Sequence, residues 1–262
     1  MSVAQPDRRL IMFVDMERYS RHDDMGQVHA QENFRLLMSR AAEHCGLDRS
    51  GWEIQETGDG ELAIFPPGTS EPRVVADLVP ALDRILRDHN RQAASNARVR
   101  MRVALHQGLV TQTANGYAGT AVVTAARLVE ADAVKDALNQ FPDAGVAMIV
   151  SAGIYRDVVC QSYSGIREDR YRRVDVLVKS FEAEAWVFVP DENANLAPAP
   201  ALGIGEGRPD ADSEERQQVV AAPEARTGST FSFGSVTNHG ATVFGDGGRA
   251  WGPNPSTEAR RR

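Results

Sequence analysis

The stretch Glu56-Thr57-Gly58-Asp59-Gly60-Glu61-Leu62-Ala63-Ile64-Phe65 decides the fold. Asp-Gly between two short strand-like runs is a strong hairpin signal. With Trp52 to Gln55 ahead of it, the segment predicts two antiparallel strands turning at Gly58-Asp59-Gly60. The flanking glycines let backbone and ligand approach closely.

Upstream, Arg9 to Asp15 (RLIMFVD) is a short apolar run ending in a carboxylate, the pattern of a buried strand. Between it and the hairpin, Gln27 to Cys45 predicts an amphipathic helix with Val28, Phe34, Leu37, Met38 and Ala41 as its apolar stripe. Downstream, Glu71 to His89 predicts a second helix, with Val74, Val75, Leu78, Leu82, Ile85 and Leu86 inward. Arg98 to Leu105 alternates strictly: Val99, Met101, Val103 and Leu105 point one way, Arg98, Arg100 and Arg102 the other. Gly119 to Leu138 reads as helix, Val146 to Val150 as strand, and Ala152 to Val159 as a short helix. Tyr171–Val178 and Ala185–Val189 read as two closing strands. A hairpin set among alternating strands and helices predicts an α+β sandwich, a mostly antiparallel sheet covered by helices.

Two aspartates at strand ends can converge on one side of a sheet and chelate hard cations. Magnesium favours one or two carboxylates plus phosphate oxygens over a full protein cage. Two such ions clamp the attacking and leaving oxygens in phosphoryl chemistry. Taken singly, each aspartate also reads as an ordinary turn or cap residue.

The order of further motifs is more specific. VDMERYS (residues 14–20) resembles the Asp-Ile-x-x-Phe-Thr signature of class III adenylate and guanylate cyclases. ETGDGELAIF resembles their Gly-Asp-Gly hairpin, and RMRVALHQGLV (100–110) their Arg-x-Gly-x-His-x-Gly strand. GTAVVTAARLVE (119–130) resembles their Gly-x-x-Val-Asn-x-Ala-x-Arg helix, and VLVKSFEAEAWVFVP (176–190) their closing Lys-containing hairpin. The resemblance runs over residues 9–190, about seven tenths of the chain. It implies a ferredoxin-like fold and a head-to-tail homodimer with sites at the interface.

The resemblance also implies roles. Asp15 and Asp59 match the aspartates that bind two ions, Mg2+ or Mn2+, and Met16 the position lending a backbone carbonyl. Glu17, Arg18, Tyr19 and Ser20 match the turn whose amides hold the β- and γ-phosphates of a nucleoside triphosphate. Arg127 matches the arginine that reaches in from the partner subunit to stabilise the pentavalent transition state. Lys179 matches a lysine that touches the triphosphate. In the implied reaction the ribose 3′-hydroxyl attacks the α-phosphate and pyrophosphate leaves.

Three positions depart from the pattern. Val123 stands where the family has its transition-state asparagine, and valine cannot donate a hydrogen bond. Loss of one such donor costs about 100-fold or more in rate. Gln55 stands where adenylate cyclases have a base-selecting lysine and guanylate cyclases a glutamate. Gly116 stands at the base-selecting aspartate. Recognition of adenine in the usual way is therefore not expected, whereas a glutamine amide can read uracil, cytosine or guanine edges. Two readings follow: a cyclase with non-standard base preference, as in the pyrimidine cyclases of phage-defence systems, or a weakened or inactive nucleotide-binding sensor. The run also resembles a broad actinobacterial group of cyclase-like proteins.

Other residues have plain structural readings. Arg98, Arg100 and Arg102 are expected to form a solvated or salt-bridged face. His106 is expected to be a structural hydrogen-bonding histidine rather than a catalytic base. His44 is expected to end the first helix. Trp52, Trp186, Cys45 and Cys160 are expected in the core.

A hydrophobic share of 42% and a charged share of 25% are those of a globular domain rather than a disordered chain. Net charge of −7 argues against nucleic-acid binding, which wants a basic surface. No run approaches the length of a membrane span, and MSVAQPDRR lacks the apolar core of an export signal. The two cysteines lie in no metal spacing. A reduced, cytoplasmic protein is expected.

Composition shifts after Pro190. Residues 191–227, rich in Pro, Ala, Gly and acid, predict a disordered linker. Residues 228–262 predict a Gly- and aromatic-rich tail. STFSFGSVTNHGATVFGDGG is similar to short amyloid-like signalling motifs at the ends of bacterial defence proteins, where a matching motif recruits an effector protein. A plain flexible tail is the other reading.

Overall fold

A computed structural model describes residues 5–195, except 95, 96 and 115. The tail and nearly all of the linker lie outside the described residues. The strands are β1 (Asp7–Met16), β2 (Glu53–Glu56), β3 (Gly60–Ile64), β4 (Met101–Thr113), β5 (Gly116–Ala118), β6 (Val146–Ser151), β7 (Arg172–Val178) and β8 (Phe181–Phe188). The helices are α1 (Asp24–His44), α2 (Glu71–Arg73), α3 (Val79–Gln92), α4 (Thr120–Val129), α5 (Asp132–Gln140) and α6 (Ala152–Asp157). One sheet runs β2-β3-β1-β4-β6-β8-β7, with β5 paired to β4 alone. Only β4 and β6 are parallel. The fold is the expected α+β class.

β1 is apolar on both sides because it is central. Leu10, Met12 and Val14 face a core shared with Phe34, Leu37, Met38, Leu78, Leu82 and Leu86 of the helices. Ile11 and Phe13 face the opposite side, where Ala121, Ala125 and Leu128 of α4 pack. Each fully buried aliphatic side chain there contributes about 1.5–3 kcal/mol. The alternation read at Val99, Met101, Val103 and Leu105 holds, since all four are buried in the first core.

The structure differs from the sequence reading in several elements. The expected helix Gly119–Leu138 is two helices, broken at Ala131, whose backbone is extended with ψ 139°. Leu128, Val134, Ala137 and Leu138 share one core, and an unbroken helix would carry the later three off the sheet. The second expected helix contains a π turn at Val74–Leu78, two residues before Pro80. Proline cannot donate to Ala76, and its ring crowds that carbonyl, so a widened turn relieves both faults. Strand β4 extends to Thr113, and β8 begins at Phe181 rather than Ala185. Val28, read as inward, is 47% exposed. Trp186 is only half-buried and stacks on Tyr155 at 4.0 Å. Cys160 is also only half-buried. Packing continues past Pro190: Ala194 is buried, and Arg87 pairs with Glu192 at 3.6 Å. Among the described residues no helix is long and apolar enough to cross a membrane.

Candidate active site

β1 pairs with β3 so that Asp15 sits opposite Gly60, the residue after Asp59. The backbones meet closely: a Cβ on Gly60 would lie 1.9 Å from the Val14 carbonyl oxygen, so only glycine fits. Gly58 turns the hairpin at φ +87°, a left-handed conformation suited to glycine. The Met16 N–H then donates to the Asp59 carbonyl at 2.8 Å. Register and turn chemistry together bring the two aspartates side by side.

The electrostatics follow from that placement. Burial pushes the Asp15 carboxyl up to about 6, and the neighbouring Asp59 charge adds to the rise. Arg102 opposes it: directly across from Asp15 on β4, it donates from Nη2 to Asp15 Oδ2. Its Nε is buried with no partner among the described residues. Two adjacent carboxylates, one of them held partly protonated, are a fit for a hard divalent cation, which would relieve their repulsion. Among the described residues no group of three or more His, Cys, Asp or Glu forms a protein-only cage.

The turn after β1 lies beside the pair. Arg18 takes φ 60°, ψ 22°, a left-handed conformation that costs a non-glycine residue about 1 kcal/mol or more. Arg21 N–H donates to Arg18 O and His22 N–H to Tyr19 O. Arg18, Tyr19 and Ser20 stand at the start of this 3-10 turn, where the first N–H groups have no carbonyl one turn earlier within the helix. Consecutive amides in such a turn can form an anion-binding concavity. The Glu17 carboxylate is held away by Arg100, whose Nη1 donates to it at 3.2 Å. Arg100 also caps the end of α5, donating to the carbonyls of Leu138 and Phe141. Of the expected basic face, Arg100 and Arg102 are salt-bridged and Arg98 is exposed.

Gln55 and Gly116, far apart in sequence, are neighbours: a Cβ on Gly116 would lie 2.9 Å from Gln55 Oε1. Arg127 and Lys179 are not brought to the aspartates within one chain. Arg127 donates to Glu130 at 2.9 Å, one turn on along α4. Lys179 lies with Ser180 in the β7–β8 turn, at φ 57°. Asp15 is level with Arg102 and Ala147, near the Phe188 end of β8. At about 3.3 Å per residue, Lys179 is roughly 30 Å further along that strand. Val123, one turn before Arg127, is 54% exposed.

His106 behaves as a structural group. Its Nδ1 lies 2.9 Å from the buried Ser151 hydroxyl. Burial first, and Arg8 second, push its pKa down from 6.5 to about 4. The unfolded chain therefore binds an extra proton between those values. The resulting stability is full above pH 6.5 and is lost as pH falls towards 4. His106→Gln is expected to flatten this acid limb by about 1–2 kcal/mol, allowing for partial exposure. Urea melts at pH 7 and pH 4.5 check it, and identical pH slopes for both proteins would refute it.

The sequence reading did not single out Arg102 as a site residue. Its signal was the strict alternation of β4, which needs the β1–β4 register before it points at Asp15.

Solved structures of similar fold include an adenylate/guanylate cyclase/hydrolase from Silicibacter pomeroyi and the guanylyl cyclase Cya2. The first is 21% identical with a TM-score of 0.53, covering 72% of this chain and 100% of that one. The second is 17% identical with a TM-score of 0.51, covering 76% and 100%. The fold is that of adenylate and guanylate cyclase domains. No protein-family model matches the sequence, and a comparison with curated proteins finds no match.

Proposed function

We propose that this protein is a metal-dependent nucleotidyl cyclase that converts a nucleoside triphosphate into a cyclic nucleotide and pyrophosphate, with a non-standard base preference. The carrying observation is the placement of Asp15 beside Asp59, next to the 3-10 turn that opens at Arg18. Asp15, Asp59 and the Met16 carbonyl would hold Mg2+ or Mn2+. When bound, the metal lowers the pKa of the ribose 3′-hydroxyl and offsets phosphate charge.

The chain's own groups do the rest. Amides of Arg18, Tyr19 and Ser20 donate to the terminal phosphates, and Glu17 contributes backbone rather than its paired carboxylate. Arg102, with a donor to spare, adds positive charge beside the phosphates once Asp15 turns to a metal. Gln55, whose side chain lies in the space that Gly116 leaves, reads the base edge. It replaces the charged selector, so adenine loses its usual recognition. The distance of Lys179 from the aspartates supports a homodimer in which a second copy supplies Arg127 and Lys179. The exposed aliphatic side chains of Val123 and Leu109 would be covered there.

A second reading, a nucleotide-binding module without turnover that presents its tail to a partner, is favoured by Val123, Gln55 and Gly116 at the positions that depart from the family pattern. Incubation of the full chain with each of the four ribonucleoside triphosphates and Mn2+ separates the two. One cyclic product with matching pyrophosphate is expected by mass spectrometry. Binding without any cyclic product would sink the enzyme reading.

A further inference from the structure

Helix α1 carries a polar stripe that reaches both loops of the site. Gln27, Gln31 and Arg35 recur every four residues, so they lie in one line along the helix. Gln27 Nε2 donates to the His22 carbonyl at 3.1 Å, at the end of the turn after β1. Arg35 donates to the Glu56 carboxylate at 3.0 Å, at the base of the Asp59 hairpin. Gln31 touches both loops. Its Nε2 donates to the Tyr19 hydroxyl at 2.9 Å and to the Gly58 carbonyl at 2.8 Å.

The three contacts differ in weight. Arg35 and Glu56 are each more than 60% exposed, 61% and 62%, so their pair is worth little. Gln31 and Tyr19 are half-buried and Tyr19 packs against the main core, whereas the bond to Gly58 lies at the exposed hairpin tip. A primary amide has two N–H donors on one nitrogen, one for each partner. Tyr19 belongs to the 3-10 turn after β1, and Gly58 immediately precedes Asp59. The two segments are far apart in sequence, and the Met16–Asp59 backbone bond and the Asp15–Gly60 strand pairing tie their bases together.

We infer that Gln31 is a positioning residue that fixes the Asp59 hairpin against the Tyr19 turn, keeping carboxylates and phosphate-binding amides at one spacing. The mechanical link stands on the geometry alone, while its effect on ligand binding rests on the function proposed above.

Two readouts on the full chain test it. The first is hydrogen exchange of the free protein. Gln31→Met, a neutral side chain of similar length that donates to neither oxygen, is expected to speed exchange about tenfold at the hydrogen-bonded amides of Arg21 and Thr57, with the middle of α1 unchanged. The second is calorimetric titration with Mn2+ and inorganic pyrophosphate, a probe that needs no base. Gln31→Met is expected to weaken it about tenfold, with no change of charge to account for the loss. Exchange that rises in neither loop, or in only one, overturns the link. Unchanged pyrophosphate affinity despite looser loops overturns the positioning role. If the wild-type chain takes no Mn2+-pyrophosphate, the proposed function falls, and exchange still judges the link. Should Gln31→Met not fold, Tyr19→Phe decides: faster exchange at Arg21 with weaker pyrophosphate binding supports the inference, and wild-type values overturn it.

Discussion

Asp15→Asn and Asp59→Asn are each expected to cut Mn2+-dependent pyrophosphate release by about 1,000-fold or more, the several kcal/mol that a metal's charge stabilisation supplies. Either change removes one of only two carboxylates, and a neutral amide neither balances a divalent charge nor needs one. Loss in one variant and not the other would refute a shared site. A stability measurement checks the same pair without turnover. Burial, with Asp59 adding, raises the folded-state pKa of Asp15 from 3.8 to about 6. The folded state therefore holds a proton that the unfolded chain has released. That contribution is present below pH 3.8 and is lost as pH rises through about 6. The shift corresponds to something on the order of 3 kcal/mol of strain in the metal-free protein at pH 7.5. Mn2+ is thus expected to raise the melting temperature more at pH 7.5 than at pH 5, where it competes with the proton. Asp15→Asn should remove that difference. An Mn2+ shift independent of pH in the wild-type chain would show that Asp15 is not a ligand.

The sequence reading and the structure agree where local chemistry decides the outcome. Gly58-Asp59-Gly60 must turn, because it joins two short strands and Gly58 takes positive φ. Arg98 to Leu105 sends Val99, Met101, Val103 and Leu105 into one core as its alternation requires, while Arg100 and Arg102 on the other side are only 16% and 17% exposed and pair with carboxylates. The break at Ala131 was not legible, since neither glycine nor proline marks it. It exists because α5 has to stay on the sheet with Val134 and Leu138, a demand of tertiary packing. Strand β4 beyond Leu105 loses its alternation through Gln107 and the 53%-exposed Leu109, and β5 pairs with it over only three positions. The site divides the same way. Motif order pointed to Asp15 and Asp59, but the Arg102–Asp15 pair spans 87 residues and depends on register. Gln31 shows no motif at all. Its role follows from which carbonyl and which hydroxyl the fold places within reach of one amide.

Val123→Asn is expected to raise turnover by about 100-fold, if Val123 stands where an orienting donor belongs. The position permits the change. Val123 is 54% exposed, so the substitution exposes no core and should move stability by less than about 0.5 kcal/mol. It also lies one helical turn before Arg127, and residues four apart share a face. An asparagine amide there would present a donor alongside the guanidinium, towards the second copy's aspartates. A donor used only as charge develops on the phosphate raises kcat and leaves KM nearly unchanged. The gain should vanish when Arg127→Ala is added, because the two groups would act on one transition state and not independently. An equal gain with and without Arg127 would place Val123 away from the reacting phosphate. No gain at all, in a protein that binds Mn2+ and pyrophosphate, would favour the module without turnover, and the aspartate pair would then serve binding alone.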